Sequence, residues 1–167
     1  MSQGLLHMPD VDELKEAMKK AESPEESVRF LELVLFGKPK SGKTHFTGTL
    51  PRPLILDFDK GAGVLGNRQK FPNFDGKRVL VDSFKDVEAW YWLLRNYNDR
   101  KDMGFKSVVW DTVTYAHYLA MDETKAEKVA RDSSKSRWQS EMSDYGKAND
   151  RVKFWINQYR SLPLHKV

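Results

Sequence analysis

Residues 33–47 read LVLFGKPKSGKTHFT. A short apolar run stops at Gly37, three lysines crowd the next six positions, and Thr44 follows. Gly37-Lys38-Pro39-Lys40-Ser41-Gly42-Lys43-Thr44 fits the spacing G-x-x-x-x-G-K-[ST] at every fixed position. The fixed glycines let the backbone curl so that several N–H groups point at one phosphate. A helix starting near Gly42 turns its positive end toward the same anion. In this pattern Lys43 reaches the β- and γ-phosphates of a nucleotide, and the Thr44 hydroxyl ligates Mg2+. Lys38, Pro39, Lys40 and Ser41 form the body of the loop, and His45 follows it directly; all nine residues are nucleotide-binding candidates. Lys38 and Lys40 fill variable positions and are expected on the solvent side.

Such a loop joins a strand to a helix. The second half of RFLELVLF (29–36) reads as a buried strand, and KTHFTGTL as a short helix stopped by Pro51. Further strands are read in RPLILDFD (52–59), KRVLVD (77–82) and KSVVWDT (106–112). Phe84, Val87, Trp90, Leu94 and Tyr97 recur at helical spacing behind Ser83, a candidate N-cap. TYAHYLAMDETKAEK reads as a helix, and 129–146 as polar and irregular. A last helix carries Ala148, Val152, Trp155, Ile156, Tyr159 and Leu162 on one stripe. Alternation of strand and helix predicts an α/β fold, a parallel sheet flanked by helices. Ligands of such sheets lie beyond the C-terminal strand ends, where Gly37, Asp59 and Asp111 all fall. Asp111 is placed to hold Mg2+ through water, opposite Thr44. Asp57 and Asp59 alternate to one side of their strand. Asp59 lies further along and is the better candidate to orient a water at the γ-phosphate; Asp122 and Glu123 are weaker ones.

At 167 residues, 40% hydrophobic and 31% charged, the composition suits one globular domain. The absence of cysteine excludes disulfides and thiolate metal sites. No apolar run approaches the roughly 18–20 residues of a membrane span, and the N-terminus lacks the pattern of a secretory signal, so no membrane partner is expected and the cytoplasm is the default. Net charge is +4, yet residues 1–27 hold seven acidic and three basic side chains. The remainder is therefore basic, as a partner of polyanions would be. Residues 1–27 read as a leader with a helix over 9–21 (Val11, Leu14 and Met18 on one face), and 28–167 as the core domain.

LFGKPKSGKTHF, RPLILDFDKGA, SVVWDTVT and YGKANDRVKFWINQYRSLP together resemble the phage-encoded nucleotide-binding proteins of the RecA-like group, some of which are single-strand annealing recombinases. The resemblance spans roughly residues 30–167. It implies a RecA-like P-loop NTPase core binding ATP and Mg2+, with Lys43 and Asp59 catalytic and Asp111 the metal-holding acid. Asp59 stands where that group keeps a glutamate, one methylene shorter, which implies slow or DNA-stimulated hydrolysis. The resemblance places a DNA-contacting loop at 125–146, making Lys125, Lys128, Arg131, Lys135, Arg137, Trp138 and Tyr145 candidates for single-stranded DNA. Cations interleaved with aromatics suit that ligand. It also implies a homo-oligomer with the N-terminal helix docked on a neighbour, and a bacterial host cytoplasm. The next strand is expected after Pro163, between the phosphate-loop strand and the Asp111 strand, with LHKV as its first residues. On that reading the core is truncated at its C-terminus. Two other functions compete: a non-catalytic ATP-binding switch or assembly module, and a small-molecule kinase. A GTPase is disfavoured, since neither N-K-x-D nor a D-x-x-G after a strand is present.

Overall fold

Leu54, Ile55 and Leu56 leave their strand no polar face, and a strand apolar on both sides belongs in the middle of a parallel sheet. In the computed structural model, which describes Asp12 and residues 30–67, 69–97 and 103–167, that stretch is β1 (Pro53–Asp57), buried at every residue. β2 (Lys77–Leu80) lies parallel on one side and β3 (Ser107–Asp111) parallel on the other. β4 (His165–Lys166) extends the sheet beyond β3, giving the order β2-β1-β3-β4. Helix α1 (Lys43–Thr47) precedes β1, α2 (Phe84–Tyr97) follows β2, and α3 (Val113–Arg131) and α4 (Met142–Arg160) lie between β3 and β4. The helix expected over 9–21 and the 1–27 leader lie outside the described residues, apart from Asp12.

The two faces of the sheet carry separate cores. Leu54, Leu56, Phe58 and Val108 point to the side covered by α2, α3 and α4, against Val87, Tyr91, Leu94, Ala116, Ala148 and Val152. Ile55 and Val109 point the other way, against Ala62 and Leu65 of a 3₁₀ turn (Gly61–Gly66) and Phe71. α4 packs its stripe as read from the sequence, with Ala148, Val152, Tyr159 and Leu162 buried. Tyr159 meets Tyr91 and Trp110 at ring distances of 5.7 and 5.5 Å. Its hydroxyl donates to the Val87 carbonyl of α2 at 2.7 Å.

The strand expected after Pro163 forms where the fold class places it. Val167 N–H donates to Val108 O and Trp110 N–H to Val167 O. On the far side Lys166 bridges Glu32 in parallel, with Leu33 N–H donating to Lys166 O. The segment that leads into the lysine-rich loop is thus tied to the sheet through 31–33, by its first half. The second half, expected as a buried strand, is not one: Val34 is 93% exposed and Phe36 101%. Arg160 and Lys166 also pair with Glu32 at 2.9 and 3.7 Å.

Three further expectations are corrected. The irregular part of 129–146 is narrower than expected: α3 runs to Arg131 and α4 starts at Met142, which leaves 132–141 irregular. Reciprocal capping of Glu141 and Asp144 starts α4; the Asp144 carboxylate accepts Glu141 N–H at 2.8 Å. The α2 stripe is centred on Tyr91, which is buried, whereas Tyr97 is 45% exposed. Ser83 does stand directly before α2, its carbonyl accepting Asp86 N–H at 3.1 Å, but its hydroxyl is a donor there. Asp86 accepts the Asp82 and Ser83 amides and the Ser83 hydroxyl, while Glu123 of α3 accepts Phe84 N–H at 2.8 Å.

Candidate functional site

The loop 37–42 leaves the sheet at the C-terminal ends of the strands and closes into α1 through a left-handed turn. Gly42 has φ +90, a conformation other residues adopt with strain. At Gly37 a Cβ would stand 2.8 Å from Ser41 Oγ, which would have to turn aside. Amides in the first turn of α1 have no carbonyl four residues back to bond, so they are available to an anion. Lys43 Nζ donates to the carbonyls of Gly37 at 2.8 Å and Lys38 at 3.0 Å, folding its charge back over the loop. Lys38 and Lys40 are exposed, as expected of variable positions. His45 packs against Phe71, ring centroids 4.3 Å apart, and turns away from the loop.

Thr44 Oγ1 donates to Asp111 Oδ2 at 3.0 Å, joining residues 67 positions apart. Asp111 ends β3 and is only 6% exposed. Burial pushes its carboxyl above the ordinary 3.8, Asp59 and Asp57 push it the same way, and the Thr44 hydrogen bond and Lys43 oppose them. A buried carboxylate crowded by two others is a place that favours a cation. Among the described residues no three His, Cys, Asp or Glu side chains make a self-contained metal cluster. Mg2+ at nucleotide sites uses one or two protein oxygens and takes the rest from phosphates and water. The Thr44 and Asp111 oxygens are such a pair. Asp57 Oδ1, buried and without a hydrogen-bond partner among the described residues, is a third hard acceptor on the same face.

Asp57 and Asp59, expected on one side of their strand, have different surroundings. β1 ends at Asp57, in register with Asp111 on β3. Asp57 is fully buried and its Oδ2 accepts Arg78 Nε and the Ala62 amide. Asp59 lies two residues past the strand, half-buried, with Oδ1 accepting Gly61 N–H at 2.8 Å. Asp122 and Glu123 are committed elsewhere, Asp122 to Arg137 and Glu123 to Arg151 and the Phe84 amide. Arg78 escaped the sequence reading. Its signal is a cation at the alternation position of KRVL that faces the same side as Ile55 and Asp57.

Five of the seven residues singled out for single-stranded DNA divide between two clefts beside α3 and α4. Lys128, Arg131 and Lys135 line one, joined by Lys147 and Arg151, which the sequence reading omitted. Lys128 is half-spent, paired with Glu141 and Asp144 at 3.0 Å each. Arg131 and Lys147 form no ion pair among the described residues. Lys125 and Tyr145 line the other cleft with His117 and Tyr118. Arg137 is held by Asp122, and Trp138 stands 90% exposed in the connecting loop. No helix among the described residues is long and apolar enough to cross a membrane.

Comparison with known proteins adds one finding. A family model described as an AAA domain matches residues 29–167. No curated protein and no solved structure matches the chain.

Proposed function

The chain belongs to the AAA-domain family of P-loop ATPases, and we propose that it binds ATP with Mg2+ in the 37–44 loop and hydrolyses it slowly, coupled to binding of single-stranded DNA. The observation that carries the nucleotide reading is the 3.0 Å contact of Thr44 Oγ1 with Asp111 Oδ2. It brings the loop's hydroxyl and a strand-end carboxylate to one point beside Lys43. A bound Mg2+ would supply positive charge against the charge that develops on the phosphates. Thr44 and Asp111 would hold it. Lys43 exchanges the Gly37 and Lys38 carbonyls for phosphate oxygens, and the loop amides cradle the β-phosphate. Asp59 accepts a hydrogen bond from the attacking water and sets its line to the γ-phosphorus.

The exposed Trp138 and the cations of the α3–α4 clefts support the DNA half of the proposal. Bases stack on aromatics while cations follow the backbone. Together with the resemblance to phage-encoded RecA-like proteins, this favours a role in single-strand annealing during DNA recombination, as a homo-oligomer along the strand. The test is ATP turnover with and without oligo-thymidine, with Lys43→Ala as control. Mg2+-dependent turnover that rises with DNA supports the reading; a full-length protein that neither binds nor responds to DNA removes its second half.

One observation favours a second reading. The Asp59 carboxylate is short and already engaged by Gly61 N–H, as suits a nucleotide-binding switch that rarely turns over. Tight ATP binding with negligible turnover, unchanged by Asp59→Asn, would select the switch.

A further inference from the structure

We infer that Arg78 is a positioning residue for the turn that carries Asp59, acting through Asp57. The inference rests on the proposal that Asp59 orients the attacking water. Arg78 lies on the edge strand β2, level with Ile55 of β1. From there its guanidinium reaches toward the C-terminal strand ends. Nε donates to Asp57 Oδ2, and Nη2 donates to the Lys60 carbonyl at 3.1 Å. The same Asp57 oxygen accepts Ala62 N–H at 3.2 Å. The chain between Asp57 and Ala62 is therefore closed at both ends by one carboxylate and held in the middle by one guanidinium. Asp59 is inside that closure, its own carboxylate fixed by Gly61 N–H.

Two details argue that the arrangement serves the turn and not only the neutralisation of a buried acid. Lys60 has φ +64, a left-handed conformation costly for a residue with a side chain, and its carbonyl is the one Arg78 restrains. At Gly63 a Cβ would come within 3.2 Å of Arg78 Nη1, so the turn and the guanidinium lie against each other. Counter-charge alone requires neither. A lysine could pair with Asp57, but an ammonium lacks the rigid fork that reaches carboxylate and carbonyl in fixed geometry.

Arg78→Lys separates the two roles in the full chain. Hydrogen exchange of the Gly61 and Ala62 amides is followed by NMR, beside thermal stability, ATP affinity and kcat. The expected result is a melting temperature close to wild type and an ATP Kd within about threefold. Exchange at Gly61 and Ala62 should accelerate at least about tenfold, and kcat should fall by about ten- to a hundredfold, the size of effect a displaced catalytic group has. Wild-type exchange at both amides in Arg78→Lys overturns the inference, whatever the turnover. Accelerated exchange with unchanged kcat also overturns it, since the turn would move without consequence. Asp59→Asn keeps this distinct from the reading beneath it. If that variant keeps wild-type turnover, the proposed role of Asp59 falls and the catalytic part of the inference with it. If it loses turnover while Arg78→Lys does not, only the inference falls.

Discussion

Lys38, Lys40 and Lys43 are chemically identical in the sequence and are separated by where their side chains go. Lys38 and Lys40 are in solvent, whereas Lys43 is wrapped over the loop on two carbonyls. Lys43→Ala is expected to weaken ATP binding by about ten- to a hundredfold, the worth of charge-assisted hydrogen bonds, and to abolish turnover with little change in melting temperature. Lys38→Ala and Lys40→Ala should each change affinity by less than about threefold, because exposed charges are screened by salt; fluorescent-ATP titration measures all three. Gly42→Ala meets no atom within 4 Å but must hold φ +90. Its cost is conformational, about 1–2 kcal/mol, and it should appear in calorimetry of the empty protein and again as lost affinity. The motif made Gly37, Lys43 and Thr44 legible. The roles of Asp57 and Arg78 were not, because pairing across 21 positions leaves no local signature.

The helices show what periodicity can and cannot report. The stripe of α4 was readable because a helix repeats its buried face every three to four residues. The polar start of the same helix was hidden by its charge, although Glu141 and Asp144 stand at capping-box spacing, and Asp144 is 1% exposed. The Glu141 amide first, then the Lys128 ammonium, hold the Asp144 carboxyl below its ordinary 3.8. A carboxyl lowered on folding contributes stability that is present above its unfolded value and is lost as pH falls through the folded one. Asp144→Asn should therefore lower the melting temperature at pH 7, and the gap to wild type should close as pH drops below 3.8. Tyr159→Phe tests the contact between α4 and α2. It removes the hydroxyl's bond to the Val87 carbonyl, which keeps its helical partner, and should cost about 0.5–1.5 kcal/mol in urea unfolding, with no change in ATP affinity.

Across the whole molecule, charge is placed unevenly: residues 1–27 are acidic and the remainder basic. The α3–α4 cleft gathers Lys128, Arg131, Lys135, Lys147 and Arg151 against Glu127 and Asp132. If oligo-thymidine follows this cleft, replacing both Arg131 and Lys147 with alanine should reduce the salt slope of log K by about 0.7 for each phosphate that is no longer neutralised. Fluorescence anisotropy from low to moderate salt would show it, and an unchanged slope would move the DNA elsewhere on the surface. By itself the sequence determined the α/β class, the parallel sheet, the phosphate loop and the position of Asp111. Each is written in contiguous residues or in a fixed period. Tertiary structure alone decided that Asp57 is a buried, paired acid while Asp59 stands beyond the end of the strand. It also decided that Arg78 reaches the turn beside the site. Those outcomes depend on which strand lies next to which, and on which carboxylate loses its water. Neither is a property of any one stretch of chain.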